Sequence, residues 1–391
     1  MKLSNRVELL QESATLAVSA KAAKMQAAGI DVIGFGAGEP DFDTPVHIKA
    51  AGIKAIQDGM TKYSKPASGM PAVKKEVCTK FARDNQLTYA PDQVIVTAGG
   101  KMGVYLTIHA LVDPGDEVII PAPYWVSYPE MVKLAGGVPV FTAGPEANDY
   151  KLTPDILHRA MTPRTKLFIF NSPSNPSGVT YHPEEVRALA AVMADRDVCV
   201  LSDEIYDQLL FGDQETLSWA ACGSEAYAKT VTLNAASKTY SMTGWRIGYA
   251  AGPKPIIEAM MKLQSQTTSG AATFNQIALA EALTGDQSDV ERMRVEFERR
   301  AQIMYKHLIA LPGVRCPKPT GAFYCFPNVS ALFSKIGAQS SGQFAEWLLE
   351  KARVAVVPGE AFGLDQHVRL SFALSIEKME EGLHRMKSAL A

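Results

Sequence analysis

Along most of the chain, short unbroken apolar runs alternate with longer stretches whose apolar residues recur every three or four positions. The runs at 93–97, 117–120, 138–141, 166–170, 198–201, 230–233 and 246–250 read as strands. Helical patterns separate several of them, at 102–111, around 129–135 and at 183–194. Runs such as FIF at 168–170 and CVL at 199–201 lack a polar residue at alternate positions, as expected of strands buried on both faces. Strands alternating with helices predict a largely parallel sheet with helices on both sides.

After about residue 285 the texture changes. The stretch 288–309 predicts one long, charged helix with apolar residues at helical spacing. Strand patterns follow near 322–326, 355–357 and 368–371, with helices between and after them. This reads as a second, smaller α+β domain. Two domains with a cleft between them suit a small-molecule site.

Composition narrows the function classes. The chain has 391 residues, of which 47% are hydrophobic, enough for a large core shared by two domains. Its formal net charge is −2, with no basic stripe for nucleic acid. No apolar run is long enough to span a bilayer. The first ten residues are polar and mixed in charge, unlike a signal peptide. The five cysteines (78, 199, 222, 316 and 325) are odd in number and form no CxxC pair, so neither a disulfide framework nor a zinc site is expected. A reduced, cytoplasmic protein without bound metal is the expectation.

Five segments carry candidate chemistry, each at a predicted strand end. The segment 234–248, NAASKTYSMTGWRIG, follows an apolar strand, so Lys238 is partly shielded from water. Shielding lowers an amine's pKa and favours amine chemistry. Arg246, eight residues on, offers a cation for a phosphate. In LSDEIY, 201–206, Asp203 ends a strand, where open α/β sheets place ligand-binding groups. It suits a carboxylate that keeps a pyridine nitrogen protonated, or equally a cap on the next helix. Tyr206 can donate to a ring oxygen. In TAGGKMG, 97–103, bare amides before a helix suit a phosphate. NSPSNPSG, 171–178, is a rigid loop presenting Asn175, and PAPYW, 121–125, presents Trp125, whose face can stack on a ring or simply pack.

Together, in this order and spacing, these segments resemble the class I and II aminotransferases of fold type I, which use pyridoxal 5'-phosphate (PLP). The resemblance covers nearly the whole chain. SATLAV at 13–18, AGEPDFDTP at 37–45, PAPYWVSYP at 121–129 and MTGWRIGY at 242–249 look like the I-beta subgroup of aspartate aminotransferases. The resemblance implies an α/β fold with a mainly parallel seven-stranded sheet. It also implies a large PLP-binding domain over 45–285, and a small domain formed by 1–44, including an N-terminal arm, and 286–391.

It further implies roles by position. Lys238 matches the Schiff-base lysine and the acid–base group that moves the substrate proton. Asp203 matches the pyridinium partner, Tyr206 and Asn175 the ring-oxygen donors, and Trp125 the stacking aromatic. Gly100, Lys101, Ser237 and Arg246 fall in phosphate-binding segments. Arg369, in VRLS, matches the arginine that grips the substrate α-carboxylate, where a guanidinium pairs bidentately, and Gly38 matches a backbone contact to the same group. Tyr63 looks like the tyrosine that reaches the neighbouring subunit's site, which implies a homodimer. Lys101, with Ser13 and Thr15, implies a contact to the distal carboxylate of aspartate or glutamate.

The sequence departs from the pattern twice. Ala235 stands where a serine or glycine is usual three residues before the lysine, which puts a phosphate contact in doubt. Gln11 stands where some relatives acting on acidic substrates carry lysine, which puts prephenate-type activity in doubt. The expected reaction is transfer of an amino group from aspartate to 2-oxoglutarate, with ping-pong kinetics. An aromatic or methionine preference, or a PLP-dependent β-lyase on the same fold, remains open.

Overall fold

The structure is a computed structural model and describes residues 2–391. Its strands, in chain order, are β1 (Ile33–Gly34), β2 (Val94–Thr97), β3 (Glu117–Ala122), β4 (Val138–Ala143), β5 (Thr165–Asn171), β6 (Cys199–Asp203), β7 (Thr230–Ala235), β8 (Gly248–Ala251), β9 (Tyr324–Cys325), β10 (Val354–Ala355), β11 (Val357–Pro358) and β12 (Val368–Ser371). Seven of them form one sheet in the order β2-β8-β7-β6-β5-β3-β4. Only β8 runs antiparallel to its neighbours; the remaining pairings are parallel.

The apolar runs of the inner strands behave as expected of two-sided burial, whereas the edge strand β4 leaves Val138 and Phe141 exposed. All six residues of β7, and Leu167 to Phe170 in β5, are buried. On one face of the sheet, helices Gly100–Leu111 and Lys254–Thr267 contribute Val104, Leu106, Ile108 and Met260 to the core. On the other, Leu157, Val186, Leu189 and Trp219 pack against Phe168 and Phe170.

The second unit is built from short pieces. β11, β12 and β9 form an antiparallel sheet, and β1 pairs with β10 in parallel. The long helix, Ser288–Ile309, lays Phe297, Ala301, Met304 and Leu308 into its core. Helix Ile376–Ala389 adds Met379, Leu383 and Met386. The long helix begins against the other unit, where Val290 joins the core cluster that includes Ile48 and Leu283. Among the described residues no helix is long and apolar enough to cross a membrane.

Three sequence expectations shift. The strand expected at 246–250 begins only at Gly248, because Arg246 adopts φ +52° and turns the chain. The run at 355–357 splits at Val356, since β10 joins β1 while β11 joins β12. The strand near 322–326 shortens to Tyr324–Cys325. The consequence for the site is simple: β5, β6 and β7 end side by side, and the segments expected to carry chemistry begin there.

Candidate active site

Lys238 sits in a single helical turn, Ala236–Thr239, directly after β7. Its Nζ donates to the carbonyl of Gly38, which lies 200 residues earlier. Burial pushes the amine down to about 8; repulsion from Arg369 and Arg246 adds to this, while Glu39 and Asp203 oppose it. The lysine is therefore an amine that gives up its proton near neutral pH, as nucleophile and base chemistry require.

Asp203 closes β6 and is buried. The Tyr128 hydroxyl donates to its Oδ2 at 2.6 Å, and the Ile205 N–H to its Oδ1 at 3.3 Å. Burial raises the carboxyl to about 6, and the bond from Tyr128 holds the rise in check. A carboxylate in such a place is stabilised by a cationic partner, so the site suits a protonated ring nitrogen. The Asp203 carbonyl is fixed from the side by Asn171 Nδ2 at 2.9 Å, and Asn171 Oδ1 accepts the Asn175 N–H at 3.0 Å. The loop after β5 is thus tied to the end of β6. Tyr206 is buried, with its hydroxyl 3.0 Å from that of Tyr324.

At the end of β2 the chain enters helix Gly100–Leu111 through Gly99, with φ +87°. A Cβ on Gly99 would stand 2.5 Å from an Nη of Arg246, so the guanidinium lies against bare backbone. A Cβ on Gly248 would stand 2.6 Å from the Gly100 nitrogen. The helix start is thus stripped of side-chain bulk, with its dipole and free N–H groups beside a cation. Lys101, on the first turn, has its Nζ 4.9 Å from the Trp125 ring centroid. Burial and the repulsion of Arg246 lower its pKa.

Arg369, on β12, is 1% exposed. Its Nη1 donates to Asn175 Oδ1 at 2.9 Å and its Nη2 to the Gly36 carbonyl at 3.0 Å. Its guanidinium lies 4.5 Å from the Tyr324 ring centroid and 5.0 Å from that of Phe362. Its Nε is buried without an acceptor. A buried cation with a free donor is a ready partner for a carboxylate. Ser13 and Thr15 share a hydroxyl–hydroxyl bond of 2.9 Å at the start of helix Ala14–Ala27.

One cavity of about 620 Å³ gathers thirteen of the expected residues: Ser13, Thr15, Gly38, Gly100, Lys101, Trp125, Asn175, Asp203, Tyr206, Ser237, Lys238, Arg246 and Arg369. Tyr63 does not line it and is 81% exposed. Gln11 does not line it either; its N–H donates to Glu130 at 2.9 Å. Sequence reading missed Tyr128 and Tyr324, which hold Asp203 and Tyr206, and the bond from Thr243 to Glu39 at 2.7 Å, which ties the lysine segment to the Gly38 turn. Tyr128 falls three residues after Trp125 in a segment already singled out. Its type gave no chemical signal, because a tyrosine there is ordinarily core.

The profile of the family described as "Aminotransferase class I and II" matches residues 30–386. The chain belongs to that family. Among this aminotransferase's relatives, the aspartate aminotransferase of Geobacillus stearothermophilus is 52% identical over 394 residues, covering all of both chains. The aspartate/prephenate aminotransferase of Nitrosomonas europaea is 45% identical, again over the whole of both. Among solved structures, the aspartate aminotransferase of Thermus thermophilus with maleate superposes with a TM-score of 0.94 at 43% identity, over all of both chains. The protein is a PLP-dependent transaminase.

The residues present fit the cofactor. The helix start lies so close to the Arg246 guanidinium that a Cβ at Gly99 would collide with it, a pairing of bare backbone N–H groups and a cation that suits a phosphate. A depressed amine and a buried carboxylate line the same cavity.

Proposed function

We propose that the enzyme takes L-aspartate as amino donor and 2-oxoglutarate as acceptor, with ping-pong kinetics. The carrying observation is that the cavity has, besides Lys238, Arg246 and Arg369, a further basic side chain, Lys101, to which neither the reacting amine nor the α-carboxylate lays claim. A dicarboxylate needs two such partners, one for each end. The Ser13–Thr15 hydroxyl pair supplies polar company for the distal carboxylate. The relatives' names, and the maleate in the Thermus structure, favour the same four-carbon diacid chemistry.

On this reading, Gly100 and the Lys101 backbone N–H, with Ser237 and Arg246, would hold the phosphate, leaving the Lys101 side chain for the substrate. Asn175 and Tyr206 would hold the ring oxygen, Trp125 would cover the ring and Asp203 would keep its nitrogen protonated. The bound ring supplies an electron sink for the charge left when the substrate Cα loses its proton. Arg369 and the Gly38 backbone fix the α-carboxylate and so the orientation of the Cα–H bond. The Lys238 amine would take that proton and hold it for return, which its lowered pKa favours. Aromatic walls, buried at Tyr324 and Tyr206 and half-buried at Trp125, limit water at the reacting atoms.

We further infer that 45–285 and the remainder (1–44 and 286–391) act as large and small domains, and that the enzyme is a cytoplasmic homodimer. Val46, Ile53, Ile56 and Tyr63 expose from 52% to 81% of their surface, which suits a second copy. Tyr63 would then serve the partner's phosphate. Five scattered cysteines suit a reducing compartment.

The experiment compares kcat/KM for aspartate, glutamate, phenylalanine and methionine in wild type and Lys101→Ala. A loss of roughly tenfold or more confined to the two diacids is expected, the cost of an unpaired carboxylate. An equal loss for all four would refute the diacid reading and leave Lys101 a phosphate or packing residue. Wild type favouring phenylalanine or methionine would select the aromatic or methionine reading, and steady pyruvate formed from an amino acid with no amino acceptor present would select a lyase.

A further inference from the structure

Behind the site, on the side of β6 away from the cavity, lies a buried polar cluster that the reaction does not use directly. Glu204 follows Asp203, so its side chain leaves the strand end in a different direction, as successive strand residues do. It is 4% exposed. Ser202 Oγ donates to its Oε1 at 2.7 Å; Ser218 Oγ and Asn85 Nδ2 donate to its Oε2 at 2.6 and 3.0 Å. Three donors on two oxygens are the set that an ionised carboxylate requires. Asn85 is held in turn by Lys80 Nζ at 2.7 Å, and Lys80 pairs with Asp207. Lys80 and Asn85 come from helix Pro71–Asn85, so a remote helix is clamped onto the strand end.

The Glu204 backbone carries that clamp into the site. Its N–H donates to the Leu233 carbonyl at 2.9 Å, and its carbonyl accepts from Asn234 Nδ2 at 3.0 Å. Leu233 and Asn234 lie in β7, which leads into the turn of Lys238. One residue thus joins the strand end of Asp203 and Tyr206 to that of the reacting lysine.

We propose that Glu204 is a positioning residue for transamination, its carboxylate fixing the Asp203–Tyr206 segment against the Lys238 turn. This rests on the reading of Asp203 as the ring-nitrogen partner. Asp203 is useful only in register with the ring, and a misplacement of about 1 Å costs on the order of a hundredfold in rate.

The test uses Glu204→Gln, which turns one acceptor into a donor facing other donors. Four quantities are read: the dissociation constant of PLP from apoenzyme by fluorescence titration, the melting temperature, the single-turnover rate with L-aspartate per cofactor-loaded site, and the steady-state KM for aspartate. Loss of a supporting partner of this kind is expected to weaken PLP binding about tenfold and slow each loaded site about ten- to a hundredfold, with KM for aspartate little changed. A lower melting temperature alone, with wild-type PLP affinity and a wild-type rate per loaded site, would overturn the proposal. Should Glu204→Gln fail to fold, Ser218→Ala removes a single donor and is expected to move the same two quantities several-fold; no change in either overturns it. Asp203→Ala separates the two readings. If that variant keeps wild-type affinity and rate, the ring-nitrogen assignment itself fails. If it is impaired while Glu204→Gln is not, only the positioning role fails.

Discussion

A lysine amine ordinarily releases its proton near pH 10.5, and at Lys238 burial and the neighbouring arginines bring this down to about 8. The direction matters because only the neutral amine attacks an electrophile. As pH rises through about 8, Lys238 becomes neutral while exposed lysines stay charged. Carbamylation of the apoenzyme by cyanate, read by peptide mass spectrometry, should therefore follow a profile centred near pH 8 at Lys238 and roughly two units higher at exposed lysines. A Lys238 profile superposed on those of exposed lysines would show that the pocket leaves the amine unperturbed. At this scale the sequence was informative where residue type is itself chemical. Lys238, Asp203, Arg246 and Arg369 could be named because an amine, a carboxylate and two guanidinium groups recur at strand ends in the family's order. Tyr128 and Tyr324 could not, because their role lies in a hydroxyl's direction, and direction is set by packing that no local pattern encodes.

Elements were readable where burial is simple and less so where geometry bends. The runs that became β5, β6 and β7 are apolar on both faces, and two-sided burial leaves few alternatives. The run at 246–250 reads as one strand, yet Arg246 takes a left-handed conformation so that its guanidinium can lie along Gly99. That close approach also fixes Gly248, where an added methyl would press on the Gly100 backbone rather than on a flexible side chain. Gly248→Ala is thus expected to cost about 1–3 kcal/mol, the usual range for overpacking, lowering the melting temperature. It should also weaken PLP binding by displacing the helix start. Gly34→Ala, whose methyl meets open space, serves as the control. Equal melting temperatures and PLP affinities for the two variants would mean that the crossing of β8 under that helix does not shape the phosphate cradle.

At the scale of the whole molecule, the cavity depends on both structural units: Arg369 and Gly38 come from one, Lys238 and Asp203 from the other. The change in texture after residue 285 was legible, and the strands beyond it pair outside the seven-stranded sheet. The splitting of 355–357 between two sheets was not legible, since it depends on partners far away in sequence. Tyr63 belongs to a still larger scale. It stands 81% exposed outside its own cavity, so its expected role can be filled only across a dimer. Mixing Lys238→Ala chains with Tyr63→Ala chains should create heterodimers with one intact site, because the Lys238→Ala chain lends its tyrosine to the other. Recovery of wild-type PLP affinity at half the heterodimer sites is expected. Affinity no better than that of the Tyr63→Ala homodimer would place the tyrosine's action within its own chain, or nowhere in the site.

The assignment on which all the others rest is that the amine at 238 is the one that carries the cofactor. Holoenzyme treated with borohydride, digested and mapped by mass spectrometry reads this directly. A phosphopyridoxyl group on Lys238, absent when the protein is first incubated with L-aspartate, is the predicted result. The same label on Lys101 or any other lysine, with Lys238 unmodified, would contradict it.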